Sequence, residues 1–180
     1  MSELRILTIH DPEDLEILRT RARKVQSVTP RLAALAEQML ETMREANGVG
    51  LAAPQVGVSL RMFVAELPED EETGEPRETY ILFNPEVVKG RGEQIGYEGC
   101  LSIPGTIGEV ARQDEVTVQG VDERGRGVRY KVQGYLARVF QHEIDHLDGV
   151  LYIDKLTDPA TYRPVDIGQE ELAESEMARA

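Results

Sequence analysis

His142 and His146 stand four residues apart in the segment Gln141-His142-Glu143-Ile144-Asp145-His146, with a glutamate between them. On a helix this His-Glu-x-x-His spacing puts both imidazoles one turn apart on one face. Both can then ligate a single metal while Glu143 stays free as a base. They are two of the three histidines in the 180-residue chain. Two imidazoles leave a metal short of ligands, because catalytic zinc-like sites use three protein ligands and a water. Cys100, 42 residues upstream in Gly96-Tyr97-Glu98-Gly99-Cys100-Leu101-Ser102, is the soft candidate for the third. Its glycine-punctuated surroundings allow backbone to approach a site closely. Taken alone, a lone cysteine also reads as a small buried hydrophobe.

A third segment, Gly48-Val49-Gly50-Leu51-Ala52-Ala53-Pro54-Gln55-Val56-Gly57, is glycine-rich but ends without the Gly-Lys-Ser/Thr of a phosphate loop. Phosphate is not its ligand. It offers backbone N–H and C=O groups for an extended peptide and one side-chain amide, Gln55, able to donate to a carbonyl oxygen. A plain glycine-rich turn in which Gln55 satisfies nearby backbone is the other reading.

These segments need elements to hold them. Thr29-Pro30 reads as an N-cap with proline at the first helical position. Leu32, Leu35, Ala36, Met39, Leu40 and Met43 then recur at helical spacing up to an Asn47-Gly48 stop. This amphipathic helix leads directly into the glycine-rich segment. Residues 61–65 and 80–83 are short apolar runs, and 116–118 and 128–132 alternate with period two, so all four are predicted strands, with a hairpin connection over 122–127. A second helix is predicted from about Tyr135 to Asp148, stopping at Gly149. On it Leu136, Phe140, Ile144 and Leu147 form an apolar stripe flanked by Val139, with His142 and His146 at its border and Glu143 inside it. A carboxylate there must be neutral, be paired, or face a polar cavity. Helix, strands, helix is an α+β pattern: antiparallel strands packed around a central helix that carries the His-Glu-x-x-His motif.

The whole of 1–180 reads as one domain, long enough to bury about 70% of the surface its unfolded chain exposes. A polar, acidic tail is predicted from about residue 157, and residues 66–78 are predicted as an acidic solvated loop. The formal charge of −13 argues against general affinity for nucleic acid or anionic membrane, which relies on Lys and Arg. One cysteine excludes an intramolecular disulfide, and neither a signal-peptide stretch nor a membrane span is visible. A reducing, cytoplasmic setting is the expectation.

The three segments together resemble peptide deformylase, of the bacterial type I branch. That family's signatures, Gly-φ-Gly-Leu-Ala-Ala-x-Gln, Glu-Gly-Cys-Leu-Ser and Gln-His-Glu-x-Asp-His, occur here in the family order, over roughly residues 28–156. The resemblance implies a hydrolase that removes the N-terminal formyl group from the formyl-methionine of nascent polypeptides and releases formate. It implies Cys100, His142 and His146 as metal ligands, Glu143 as general acid/base, and Gln55 with the Leu101 N–H as holders of the formyl oxygen. Gly50 matches a glycine beside the site, and Val49 and Gly99 match peptide-backbone contacts. Tyr135, Arg138 and Val139 match the border of a methionine pocket, and Glu98 with Arg112 a supporting ion pair. The implied cofactor is one divalent metal, Fe2+ first, with Zn2+, Ni2+ or Co2+ able to replace it. The implied partners are N-formylmethionyl peptides and, transiently, the ribosome. The family's ribosome-docking helix is not carried over, because the tail after Leu156 lacks an amphipathic pattern. The stretch Asp11–Arg19 and the acidic loop depart from the family's usual lengths.

Two rival chemistries share the motif. A zinc endopeptidase typically takes a His or Glu as third ligand, and Cys100 speaks against it. A closed structural metal site takes four protein ligands; nothing in the sequence places the third histidine, His10, near the others.

Overall fold

The computed structural model describes residues 4–67 and 77–165. Among the described residues, three helices and eight strands follow one another as α1 (Pro12–Leu18), α2 (Pro30–Glu45), β1 (Gly50–Ala52), β2 (Met62–Leu67), β3 (Glu78–Arg91), β4 (Gln94–Cys100), β5 (Ile103–Arg112), β6 (Glu115–Val121), β7 (Gly127–Gln133), α3 (Gly134–Leu147) and β8 (Arg163–Pro164). Short 3-10 turns at Ala53–Val56, Tyr152–Lys155 and Pro159–Thr161 complete the path. All strand pairs are antiparallel. They form a five-stranded sheet in the order β1-β2-β3-β6-β7 and a three-stranded sheet in the order β4-β5-β8.

Why β2 is apolar at almost every position follows from what covers it. Alternate residues of a strand point to opposite faces. Phe63 and Ala65 pack on one face with Leu82, Val116, Val118 and the α3 residues Ala137, Phe140, Ile144 and Leu147. Met62 and Val64 pack on the other with Phe83, Leu51 and the α2 residues Met39, Leu40 and Met43. Both faces of this strand are buried, so it reads as a continuous run rather than an alternation. Phe140 of α3 meets Phe63 and Tyr80 edge to face at 5.2 and 5.1 Å.

Both long helices lie where their sequence signals predict. Thr29 caps α2 through its hydroxyl on the Leu32 N–H, with Pro30 at the first helical position. Beyond the C-cap of α3, Gly149 takes φ +74°, the left-handed turn that closes many helices. A Cβ at 149 would also lie 2.4 Å from the Arg19 carbonyl oxygen. Conformation and space both demand glycine there.

The strand content exceeds the sequence reading. β3 extends over fourteen residues, because pairing with β2 and β6 carries polar positions such as Glu78 and Lys89 into the ladder. The glycine-punctuated stretch around Cys100 is β4 and pairs with β5, and Asp11–Arg19 holds the short helix α1, capped by the Asp11 carboxylate. The acidic-loop prediction needs correcting at its ends: Glu66 and Leu67 belong to β2 and Glu78 to β3, while 68–76 lie outside the described residues. The predicted tail likewise begins too early. Thr157 donates its N–H to the Glu109 carbonyl, and β8 pairs with Thr106 and Ile107 of β5. Residues 166–180 lie outside the described part. Among the described residues, no helix is long and apolar enough to cross a membrane.

Candidate active site

α3 packs its apolar face on the large sheet and turns its polar residues toward β4 and β5. The chain crosses between the two sheets here, so charged groups from three elements meet. Glu98 of β4 is buried, and its carboxylate accepts from Arg112 Nε at 2.8 Å, Arg112 Nη2 at 2.9 Å and Arg138 Nη1 at 2.8 Å. It also lies 2.8 Å from Nδ1 of His142. Burial alone would raise the Glu98 pKa, but the hydrogen bonds from Arg112 and His142 outweigh it and hold the group well below the usual carboxylate range. Glu98 is therefore an anion, and the His142 Nδ1 must donate to it. Against burial, hydrogen bonds to Cys100 and Glu98 raise the His142 pKa, so a cation bound at Nε2, the ring nitrogen turned away from Glu98, would take the place of a proton.

That Nε2 lies 3.2 Å from Nε2 of His146, and Cys100 Sγ lies 3.3 Å from the same His146 atom. Ligand atoms of Cys100, His142 and His146 all fall within 4.8 Å of one another. Burial, with His142 beside it, holds His146 well below the usual histidine range, hence neutral and able to ligate. His10 is exposed and does not belong to this group.

Among the described residues, two buried side-chain polar atoms lack a hydrogen-bond partner, His146 Nδ1 and Glu143 Oε2. Buried polar atoms are rarely left so, and both lie at this site. Desolvation lifts the Glu143 carboxyl to about 7, against the opposing pull of His142. A thiol, two imidazoles and an unpaired carboxylate converging in a buried corner suit a divalent cation of borderline softness. The donor set fits the metal that the motif implies.

Gln55 reaches the corner from the 3-10 turn after β1. Its Oε1 accepts from the Ala52 N–H at 2.8 Å, and this fixes which end of the amide faces inward. Nε2 is thus directed at Ser102 Oγ, 3.2 Å away, and at Cys100 Sγ, 3.5 Å away. Gly50 lies against Glu143 with no room for a side chain. A cavity of about 350 Å³ opens in front of these groups and is lined by Val49, Gly50, Gln55, Gly99, Cys100, Leu101, Tyr135, Arg138, Val139, His142 and Glu143. His146 sits behind it, almost wholly buried.

The structure thus brings every predicted site residue to one place, with one change of emphasis. Arg138 borders the cavity, but its guanidinium is committed to Glu98 and to the carbonyls of Val110 and Gln94. It ties β4 and β5 to α3. Three contributors escaped the sequence reading: Ser102, which holds Gln55; Asp145, which pairs with Arg112 and Lys155; and Tyr152, whose ring stacks on His142 at 6.3 Å. Ser102 and Asp145 carried a signal, each standing inside one of the quoted segments, and Tyr152 carried none.

Three side chains placed to hold a metal, a buried carboxylate beside them and an open cleft are the parts of a metal-dependent hydrolase. The sequence profile of the polypeptide deformylase family matches residues 3–161. The peptide deformylase of Thermomicrobium roseum is 46% identical over 176 residues, 97% of this chain and 98% of that one. Among solved structures, the peptide deformylase of Thermotoga maritima superposes with a TM-score of 0.78 at 38% identity, covering 88% of this chain and all of that one. A class I type b peptide deformylase from Acinetobacter baumannii, solved with Met-Ala-Ser bound, gives a TM-score of 0.76 at 34% identity over 86% of this chain and 99% of its own. The chain belongs to the polypeptide deformylase family, metalloenzymes that remove the N-formyl group from nascent polypeptides.

Proposed function

We propose that Cys100, His142 and His146 hold one divalent metal, ferrous iron in the native enzyme, and that Glu143 is the general acid/base for deformylation of formyl-methionyl peptides. The whole chain acts as one catalytic domain. The observation that carries this reading is the buried, unpaired Oε2 of Glu143, a residue that lines the cavity, beside the three converging ligand atoms.

A cation held by Cys100, His142 and His146 would polarise the formyl carbonyl and bring the pKa of a water toward neutrality. Glu143, held near neutrality by burial, takes a proton from the attacking water and passes it to the leaving amine, so formate and the free N-terminus depart together. Gln55 Nε2, aimed by Ala52 and Ser102, donates to the formyl oxygen with the Leu101 N–H as it gains charge.

The substrate path follows from the two sheets. β1 ends one sheet and β4 ends the other, and both border the cavity. An extended peptide can lie between these edges, one at Val49–Gly50 and the other at Gly99, where the β4–β5 register is interrupted between Glu98 and Cys100. Tyr135 and Val139 supply apolar wall for a methionine side chain. The Met-Ala-Ser bound to the Acinetobacter relative supports a peptide of this kind.

The test is an anaerobic preparation with its metal content measured, followed by formate release from formyl-Met, acetyl-Met and unblocked peptides. Formyl-Met is expected to be turned over fastest and iron to be the metal bound. Equal rates for formyl and acetyl groups, or faster internal cleavage, would overturn the substrate assignment.

A further inference from the structure

Val165, the last described residue, lines the cavity beside Gly105, Thr106 and Ile107. β8 pairs with β5 at Thr106↔Pro164 and Ile107↔Arg163, and the Val165 N–H donates to the Gly105 carbonyl at 3.0 Å. Proline, which has no N–H to donate, is tolerated here because β8 is an edge strand. Arg163 is anchored independently, its guanidinium 5.5 Å from the centre of the Tyr97 ring on β4. The segment is therefore held at both β4 and β5.

Its position relative to substrate follows from Gly99. A Cβ at Gly99 would touch Ile107 Cγ2 and the Thr106 carbonyl, both at 3.5 Å, and these are the residues with which β8 pairs. Gly99, Thr106, Ile107 and Val165 line one cavity, so a peptide held at Gly99 shares that cavity with the Val165 side chain. Since β8 occupies the outer edge of β5, a peptide cannot add as a strand there. It meets the side-chain surface that Val165 presents.

We infer that Val165 is a specificity-determining residue, contacting the second or third residue of the substrate rather than its formyl-methionine. The inference rests on the proposed path along Gly99. It explains a role for the Arg163–Val165 strand that the catalytic corner does not need.

The test is a charge exchange across the contact. Val165→Asp and Val165→Lys, made in the full metal-loaded chain, are compared with the wild type on formyl-Met peptides carrying Lys, Ala or Asp at position two or three. Val165→Asp is expected to shift kcat/KM toward Lys over Asp by about two- to fivefold, and Val165→Lys to shift it by a similar factor the other way. The same shift in both variants, or none, overturns the inference. If charge unfolds the strand, Val165→Ala carries the test, with leucine-over-serine selectivity at the same position expected to fall by about fourfold; unchanged selectivity overturns the inference. A wild-type enzyme that deformylates none of the peptides would instead defeat the proposed function on which the inference stands.

Discussion

A Cβ placed on Gly50 would lie 2.3 Å from Oε1 of Glu143 and 2.8 Å from its Cδ. The carboxylate occupies the space that any side chain at residue 50 would need. β1 is held by β2 through Leu51↔Val64, and α3 by its apolar face, so neither can yield without cost. Gly50→Ala should therefore displace the Glu143 carboxylate while leaving the three ligands in place. A misplacement on the order of 1 Å can cost about 10²-fold in rate. Retained metal with a large fall in kcat is expected; near wild-type kcat would show that the contact is not needed.

Glu143→Gln removes the proton acceptor but keeps the shape. Metal content should stay, and turnover should fall by about 10²–10⁴. With Glu143 as the proposed base, activity in the wild type requires its carboxylate form. It should therefore fall as pH drops through the Glu143 pKa, about 7 from burial and lower beside a cation. A kcat/KM profile measures this. An acidic limb above pH 8 would assign the base to another group.

Glu98→Gln tests the anchor beneath the metal corner. Loss of its charge leaves the buried Arg112 and Arg138 short of a counter-ion and weakens the acceptor on His142 Nδ1. Metal affinity is expected to fall about 10–100-fold. Stability should fall by about 3–5 kcal/mol, as when one partner of a buried ion pair is removed. Chelator competition and urea unfolding read the two effects separately.

Gln55→Ala is expected to lower kcat by about 10²–10³, as does loss of a comparable oxyanion donor. Ser102→Ala should cause a smaller fall in kcat with little change in KM, since Ser102 acts only by aiming Gln55. A Ser102 variant more damaging than the Gln55 variant would contradict that order.

Away from the site, Glu66 ties the end of β2 to α2. The hydrogen bond from Arg44 lowers its pKa to about 2, helped by Thr79 and Arg77 against the opposing effect of burial. A depressed carboxylate stabilises the fold above its unfolded pKa of 4.5, and that contribution is lost as pH falls from there through about 2. Thermal melts of the wild type and Glu66→Gln should accordingly differ at pH 6 and converge toward pH 2. A gap that persists at low pH would show that the ion pair is not its cause.

Much of this enzyme is legible in one dimension. The periodicity of 30–45 and 134–147, capped by Thr29 and closed at Gly149, marks both long helices because capping and amphipathicity are local properties. The His142–His146 spacing puts both imidazoles on one face as soon as that helix forms, as the proposed ligand pair requires. Cys100 and Gln55 could be named as candidates from residue type and motif, but not as neighbours. What brings them together is the meeting of two sheet edges with α3, through contacts 40 to 47 residues apart in sequence. The same holds for β4, whose glycines conceal a strand until β5 pairs with it. It holds for Arg138, whose charge is taken up by Glu98, and for Val165, which reaches the cavity only because β8 pairs with β5. Chain geometry sets what lies a few residues apart; hydrogen bonding between strands and the burial of charge decide which distant residues meet.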